Sequence, residues 1–310
     1  MRLRLAPVPA LLAIALLLAA PPPAAAEPAS GREGAGWLDR LQDDVARDLA
    51  AGRPLVVQVH VPLCESSIIR CGNARLGDGD APATNLYWST SGGFRWFDRR
   101  GSGWRRVHVA GGGGNLLETR VWRRTLAPAA AWRARGVKQP ITVYVVAMAW
   151  RGTAIREAMD AYVADLLGDR PREVTLADGT AIRAGGAAHV VGFVGHNGWM
   201  DVDEYDFAGA ARRAGGSSRP KGMIALACAT EPYLAPALAR EKSVPLLMTR
   251  SLLFAGAHAF EGAVTAFARG GSLARIRLAA AENYALGQDK PLRRVSPMFT
   301  NPAHTLWRAR

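Results

Sequence analysis

Val190-Val191-Gly192-Phe193-Val194 runs directly into Gly195-His196-Asn197-Gly198, and further along Met223-Ile224-Ala225-Leu226-Ala227 runs into Cys228-Ala229-Thr230-Glu231-Pro232. Each stretch is a short unbroken apolar run that ends on one reactive side chain. Apolar strands without polar alternation belong in a parallel sheet covered on both faces. In such a sheet ligands and chemistry gather at the carboxyl ends of the strands. His196 and Cys228 therefore stand where function is expected, and they come side by side if the two strands are neighbours.

Working outward, similar Val- and Ile-rich runs bounded by Gly, Pro or charge lie at 55–61, 104–109, 141–147, 188–194 and 245–248. Between them, 153–167 carries apolar residues at helical spacing (Ile155, Met159, Tyr162, Val163, Leu166), 252–269 is an apolar helix, and 272–286 opens on a capping serine. Alternating strands and helices predict an α/β fold with a mainly parallel sheet sandwiched by helices, spanning 55–290. Asp178-Gly179-Thr180, flanked by Val174-Thr175-Leu176 and Ala181-Ile182-Arg183, is a hairpin signal placed before a core strand. Ahead of the domain, 27–54 reads as a polar linker (27–36) and an amphipathic helix beginning at Trp37. Behind it, 291–310 reads as a basic, Pro-interrupted tail that wraps the surface.

The chain has 310 residues, 49% hydrophobic and 21% charged, which excludes a disordered chain, a collagen and a disulfide-packed miniprotein. A chain this long buries about three quarters of the surface its unfolded form exposes, so it needs no metal to hold a core. The formal charge of +13 attracts polyanions without bearing on the fold. Its arginines are scattered and no recognition motif accompanies them, which argues against nucleic acid as a partner. Nothing in the sequence signals an oligomeric state.

Residues 1–26 read as a secretory signal peptide: Arg2 and Arg4 precede an apolar stretch, and Ala24-Ala25-Ala26 offers a small-residue cleavage site before Glu27. The stretch is shorter than the ~20 residues of a bilayer span. A periplasmic or secreted protein with no transmembrane anchor after cleavage is expected. In an oxidising compartment Cys64 and Cys71 are expected to pair, and closing so short a loop stabilises by roughly 2.5 kcal/mol on chain-entropy grounds. Cys228 is then unpaired, either an inert buried thiol or a nucleophile.

The chemistry of a nucleophile requires a base. A free thiol with pKa about 8.5 is mostly protonated at neutral pH, whereas a thiol beside an imidazole attacks as the anion. Gly195 and Gly198 leave room beside His196 for a substrate carbonyl. A helix expected to start near Pro232 would add positive potential and backbone donors.

This pattern, an apolar strand, a His with an adjacent Gly, then an apolar strand ending in Ala-Cys, resembles the caspase-like cysteine peptidase superfamily of caspases, legumains, gingipains and CHAT-type proteases. Residues 224–230 are similar to the CHAT-type nucleophile strand, and 245–249 with Phe254-Ala255-Gly256-Ala257 resembles the strand and helix that follow it. The likeness covers the region from about 140 to 270. It implies a caspase-like fold, a peptide or protein substrate, no cofactor, Cys228 as nucleophile, and His196 as the base or as the acid that protonates the leaving amine. In the superfamily Gly commonly follows the catalytic His and helps form the oxyanion hole. Here Asn197 intervenes before Gly198, so these two are oxyanion or turn residues. Asn85-Leu86-Tyr87-Trp88, Gly92-Gly93-Phe94 and Trp96-Phe97 also resemble a group of uncharacterised bacterial secreted proteins, with no activity implied. The alternative is a catalytically silent envelope protein of the same fold that binds a peptide or anionic partner.

The acidic cluster Asp201, Asp203, Glu204 and Asp206 is either a solvated face or a set that orients the imidazole or receives a cationic substrate residue. Tyr87, Trp88, Phe94, Trp96 and Phe97 are core packing on the first helix or a substrate-side wall. Gly77-Asp78-Gly79-Asp80 lacks the ligand spacing of a calcium loop. Dispersed histidines without a Cys-x-x-Cys or His-Glu-x-x-His motif argue against a metal, and the missing Gly-x-Ser-x-Gly elbow against a serine hydrolase.

Overall fold

Strands and helices alternate in the order α1 (Arg32–Ala50), β1 (Leu55–Pro62), β2 (Arg105–Gly111), β3 (Leu116–Leu126), α2 (Ala130–Ala134), β4 (Ile141–Trp150), α3 (Ile155–Leu167), β5 (Pro171–Thr175), β6 (Ala181–Gly185), β7 (Val190–Val194), α4 (Phe207–Ala214), β8 (Lys221–Leu226), α5 (Glu231–Leu234), β9 (Ser243–Thr249), α6 (Ala257–Ala268), α7 (Leu273–Gln288), α8 (Leu292–Val295) and β10 (Phe299–Thr300). The structure is a computed structural model that describes residues 32–202, 204–238 and 242–301. The expected signal segment at 1–26, Asp203, and 302–310 of the tail lie outside the described residues.

Eight strands form one sheet in the order β10-β9-β8-β7-β1-β4-β3-β2. Its five inner strands β9, β8, β7, β1 and β4 are mutually parallel, while β3, β2 and β10 pair antiparallel at the two sides. In chain order the parallel strands lie 2-1-3-4-5, a doubly wound arrangement whose functional edge is the carboxyl end. The hairpin signal around Asp178 is realised as a separate two-stranded sheet, β5-β6.

Side-chain alternation along the strands feeds two apolar layers. Val57, Val59 and Val61 of β1 point to the face covered by α1, α6 and α7, and Val56, Val146 and Val191 to the face covered by α3, α4 and the β5-β6 hairpin. Being buried on both sides explains why β1, β7, β8 and β9 read as unbroken apolar runs. On the first face Phe94 and Phe97 stack with ring centroids 5.9 Å apart and pack on Trp122 of β3 and Phe260 of α6. Trp88, Phe94 and Phe97 are core residues.

Several details depart from the sequence reading. The N-terminal helix starts at Arg32, inside the expected linker. The longest strand, β3, has the sequence Leu-Leu-Glu-Thr-Arg-Val-Trp-Arg-Arg-Thr-Leu, and its charges conceal it. Arg120 lies over the Trp88 ring at 4.7 Å and pairs with Glu118, so a strand of charged appearance is half-buried. Within the tail, Phe299 and Thr300 pair with Thr249 and Met248, adding an edge strand to the sheet. No helix among the described residues is long and apolar enough to cross a membrane.

Candidate functional site

β7 and β8 are parallel neighbours in the register Val190↔Gly222 through Val194↔Leu226, and Gly195 N donates to Leu226 O at 3.2 Å just beyond the ladder. His196 and Cys228 each follow the last paired residue by two positions. Val194 and Leu226, the last paired residues, both enter the α6/α7 layer. The two reactive residues therefore leave adjacent strands at one edge of the sheet.

Asn197 ties the two loops together. It is fully buried, its Oδ1 accepts from Trp199 N at 3.1 Å, and its Nδ2 donates to Cys228 O at 2.5 Å and toward Ala229 O at 3.5 Å. Both amide hydrogens are thus engaged in holding the neighbouring loop, and the oxygen in holding the turn. Gly198 N donates to His196 O at 3.1 Å, so it too serves the turn and neither group is free to stabilise an oxyanion. A Cβ on Gly198 would lie 2.5 Å from Met159 Sδ of α3. The missing side chain lets this loop pack on α3, in place of the open approach that the sequence suggested.

The His196 ring has a side-chain exposure of 17%, and its Nε2 lies 2.5 Å from Asp201 Oδ2. A carboxylate only accepts, so Nε2 carries the proton, and in the neutral ring Nδ1 keeps its lone pair. The acidic cluster separates into distinct roles: Asp201 orients the imidazole, Asp206 caps α4 by accepting from Gly209 N at 2.6 Å, and Glu204 is exposed at φ 55.

Cys228 is the one unpaired cysteine, half-buried, since Cys64 and Cys71 form the disulfide. Its thiol donates to Leu253 O at 3.7 Å. The phenols of Tyr87 and Tyr284 lie within its electrostatic reach: burial raises the pKa of each, a backbone hydrogen bond from Phe254 opposes this at Tyr284, and charge at Cys228 raises both further. Ala229, the next residue, has φ 45, a left-handed conformation that costs a non-glycine residue about 1 kcal/mol. Ala229 N bonds Ser251 O at 3.1 Å and Thr230 N bonds Thr249 Oγ1 at 3.1 Å, anchoring the bend on both sides. The following helix α5 is one turn long, so it adds little of the dipole field expected from the sequence.

The apolar rim was not read from sequence. Met200 after β7, Tyr233 in α5 after β8 and Leu252 after β9 are large side chains exposed by 40%, 37% and 70%, on the segments that follow three adjacent parallel strands. Leu252 is expected from sequence to open the apolar helix 252–269, which instead begins at Ala257, and sequence does not report which segments share an edge. A cavity of about 540 Å³ lies at the opposite strand ends among Asp48, Arg53, His189 and Arg219. There Asp48 pairs with all three, an ion-pair network with His189 buried and Arg53 exposed that fastens α1 to the sheet. Among the described residues no group of three or more His, Cys, Asp or Glu gathers as a metal site.

The fold and this edge define an α/β protein with a doubly wound sheet that presents an oriented imidazole and an unpaired thiol on neighbouring loops. No family model matches the chain, and no curated protein or solved structure matches it either.

Proposed function

We propose that the chain is an exported cysteine-dependent hydrolase of caspase-like architecture that cleaves peptide bonds through Cys228 and His196. The observation that carries this reading is the β7-β8 register, with one reactive residue two positions beyond each end of the Val194↔Leu226 pair. The Asp201–His196 hydrogen bond supports it, because it leaves Nδ1 as proton acceptor. In the reaction the thiol turns from Leu253 O and gives its proton to the imidazole, and Sγ attacks the carbonyl carbon. The imidazolium then protonates the amine as the C–N bond breaks. Water, deprotonated by the same imidazole, hydrolyses the thioester and restores the thiol. Met200, Tyr233 and Leu252 would receive apolar side chains of the peptide. The disulfide agrees with an oxidising compartment, periplasmic or extracellular.

A silent binding protein of the same fold is favoured by a different observation: the Asn197 and Gly198 donors, and the thiol itself, are all engaged internally. Iodoacetamide labelling of the folded chain, followed by intact mass against pH, separates the two. Labelling of Cys228 that persists below neutral pH and slows about tenfold or more in His196→Ala supports the hydrolase. Labelling that occurs only on unfolding rejects it in favour of the silent protein.

A further inference from the structure

A second cavity, about 390 Å³, lies between β3, α6, α7 and the segment 99–102, and Arg99, Arg124, Arg269 and Arg275 line it together with Glu261 and Glu282. None of these residues belongs to the thiol site. The volume falls within the roughly 300–1,000 Å³ of small-molecule pockets, at their low end.

Glu261 is buried, with both oxygens fully engaged. Its Oε1 accepts from Trp104 Nε1 at 3.0 Å and Thr265 Oγ1 at 2.9 Å, and its Oε2 from Arg99 Nη2 at 3.1 Å and Asn283 Nδ2 at 2.6 Å. A carboxylate has about four lone-pair sites, so Glu261 has none left for Arg124. The guanidinium of Arg124 accordingly stands off at 3.7 Å. Its side chain is only 18% exposed, yet among the described residues it donates no hydrogen bond. Glu282 is taken up by Arg275 at 2.9 Å and 3.2 Å. Burial lowers the Arg124 pKa; Glu261 opposes this, while the charges of Arg269 and Arg99 lower it further. A half-buried planar fork of five donors, over the Trp104 ring at 5.9 Å and paired with Glu261 only at 3.7 Å, makes no hydrogen bond of the kind an oxyanion supplies.

We propose that this cavity binds a phosphate group, borne by a small phosphomonoester or present as the free ion, with Arg124 as its bidentate partner and Arg269 as the outer charge. Isothermal titration calorimetry of the full chain tests this, using inorganic phosphate and glycerol 3-phosphate as probes against chloride at matched ionic strength. Saturable binding is expected, weakened about tenfold or more in Arg124→Gln and in Arg269→Gln. Glu261 keeps its four donors in Arg124→Gln, and Arg269 is exposed, so both variants are expected to fold. Arg183→Gln, at the other cavity, is expected to leave binding unchanged. Tighter binding of glycerol 3-phosphate indicates an organic carrier and equal binding the free ion; both support the site. Heats no greater than for chloride, or equal in wild type and the two cavity variants, overturn it.

Discussion

Replacing Asn197 by alanine tests whether one side chain holds the two reactive loops together. The substitution strips Cys228 O of a 2.5 Å donor and Trp199 N of a 3.1 Å acceptor, at a position with no solvent exposure. A buried polar group left unpaired costs about 1–3 kcal/mol, so the two together cost about 2–6 kcal/mol. For a chain of this size, with an unfolding entropy of roughly 0.6 kcal/mol/K, that lowers the melting temperature by roughly 3–10 °C. Asn197→Asp separates the two halves of the effect. It keeps an acceptor for Trp199 N but turns an acceptor toward Cys228 O, so it is expected to lose at least as much stability as the alanine. Differential scanning calorimetry at neutral pH gives both numbers. A shift in Asn197→Ala below about 1 °C would mean that water replaces the amide at no cost, and the claim that Asn197 fastens the loops would fail.

Two further outcomes follow from groups away from this edge. Changing Cys64 and Cys71 together to alanine is expected to cost about 2–3 kcal/mol; thermal melts of this variant and of reduced wild type should agree, and a variant as stable as the oxidised protein contradicts the pairing's structural role. His258 lies beneath Trp96, Phe254 and Tyr284, and burial, reinforced by the Arg99 charge, pushes its pKa down to about 4. Unfolded chain then takes up the proton first as pH falls, so its contribution is complete above about 6.5 and is lost toward pH 4, about 3 kcal/mol in all. His189, also pushed down by burial, acts in the same direction. The comparison is therefore between wild type and His258→Gln, whose melting temperature should fall less between pH 7 and pH 4.5; parallel slopes refute the assignment.

Much of the architecture was legible because burial on both faces leaves a local trace. The apolar runs at 55–61, 141–147, 188–194 and 223–227 became β1, β4, β7 and β8. The Asp178-Gly179 turn and the Ser272 cap, whose Oγ accepts from Arg275 N at 3.3 Å, are chemistry within a few residues and were equally readable. The concealed elements were those whose charges find partners far along the chain, as Glu118, Arg120 and Arg124 of β3 do in Trp88, Ser89 and Glu261, or whose pairing is long-range and brief, as in β10.

The amino-acid sequence alone determined the alternation of strands and helices, the cysteine pair, and the placing of His196 and Cys228 after apolar strands, since hydrophobic period and turn chemistry act over a few residues. Only the tertiary structure decided that β7 and β8 are neighbours, that Asn197 spends its donors on the Cys228 loop and Gly198 inside its own turn, that Asp201 meets the imidazole, and that Arg124 meets Glu261 only at 3.7 Å. Those outcomes depend on which groups meet across many intervening residues, and a side chain's partners are set by the packing of layers that no local pattern records.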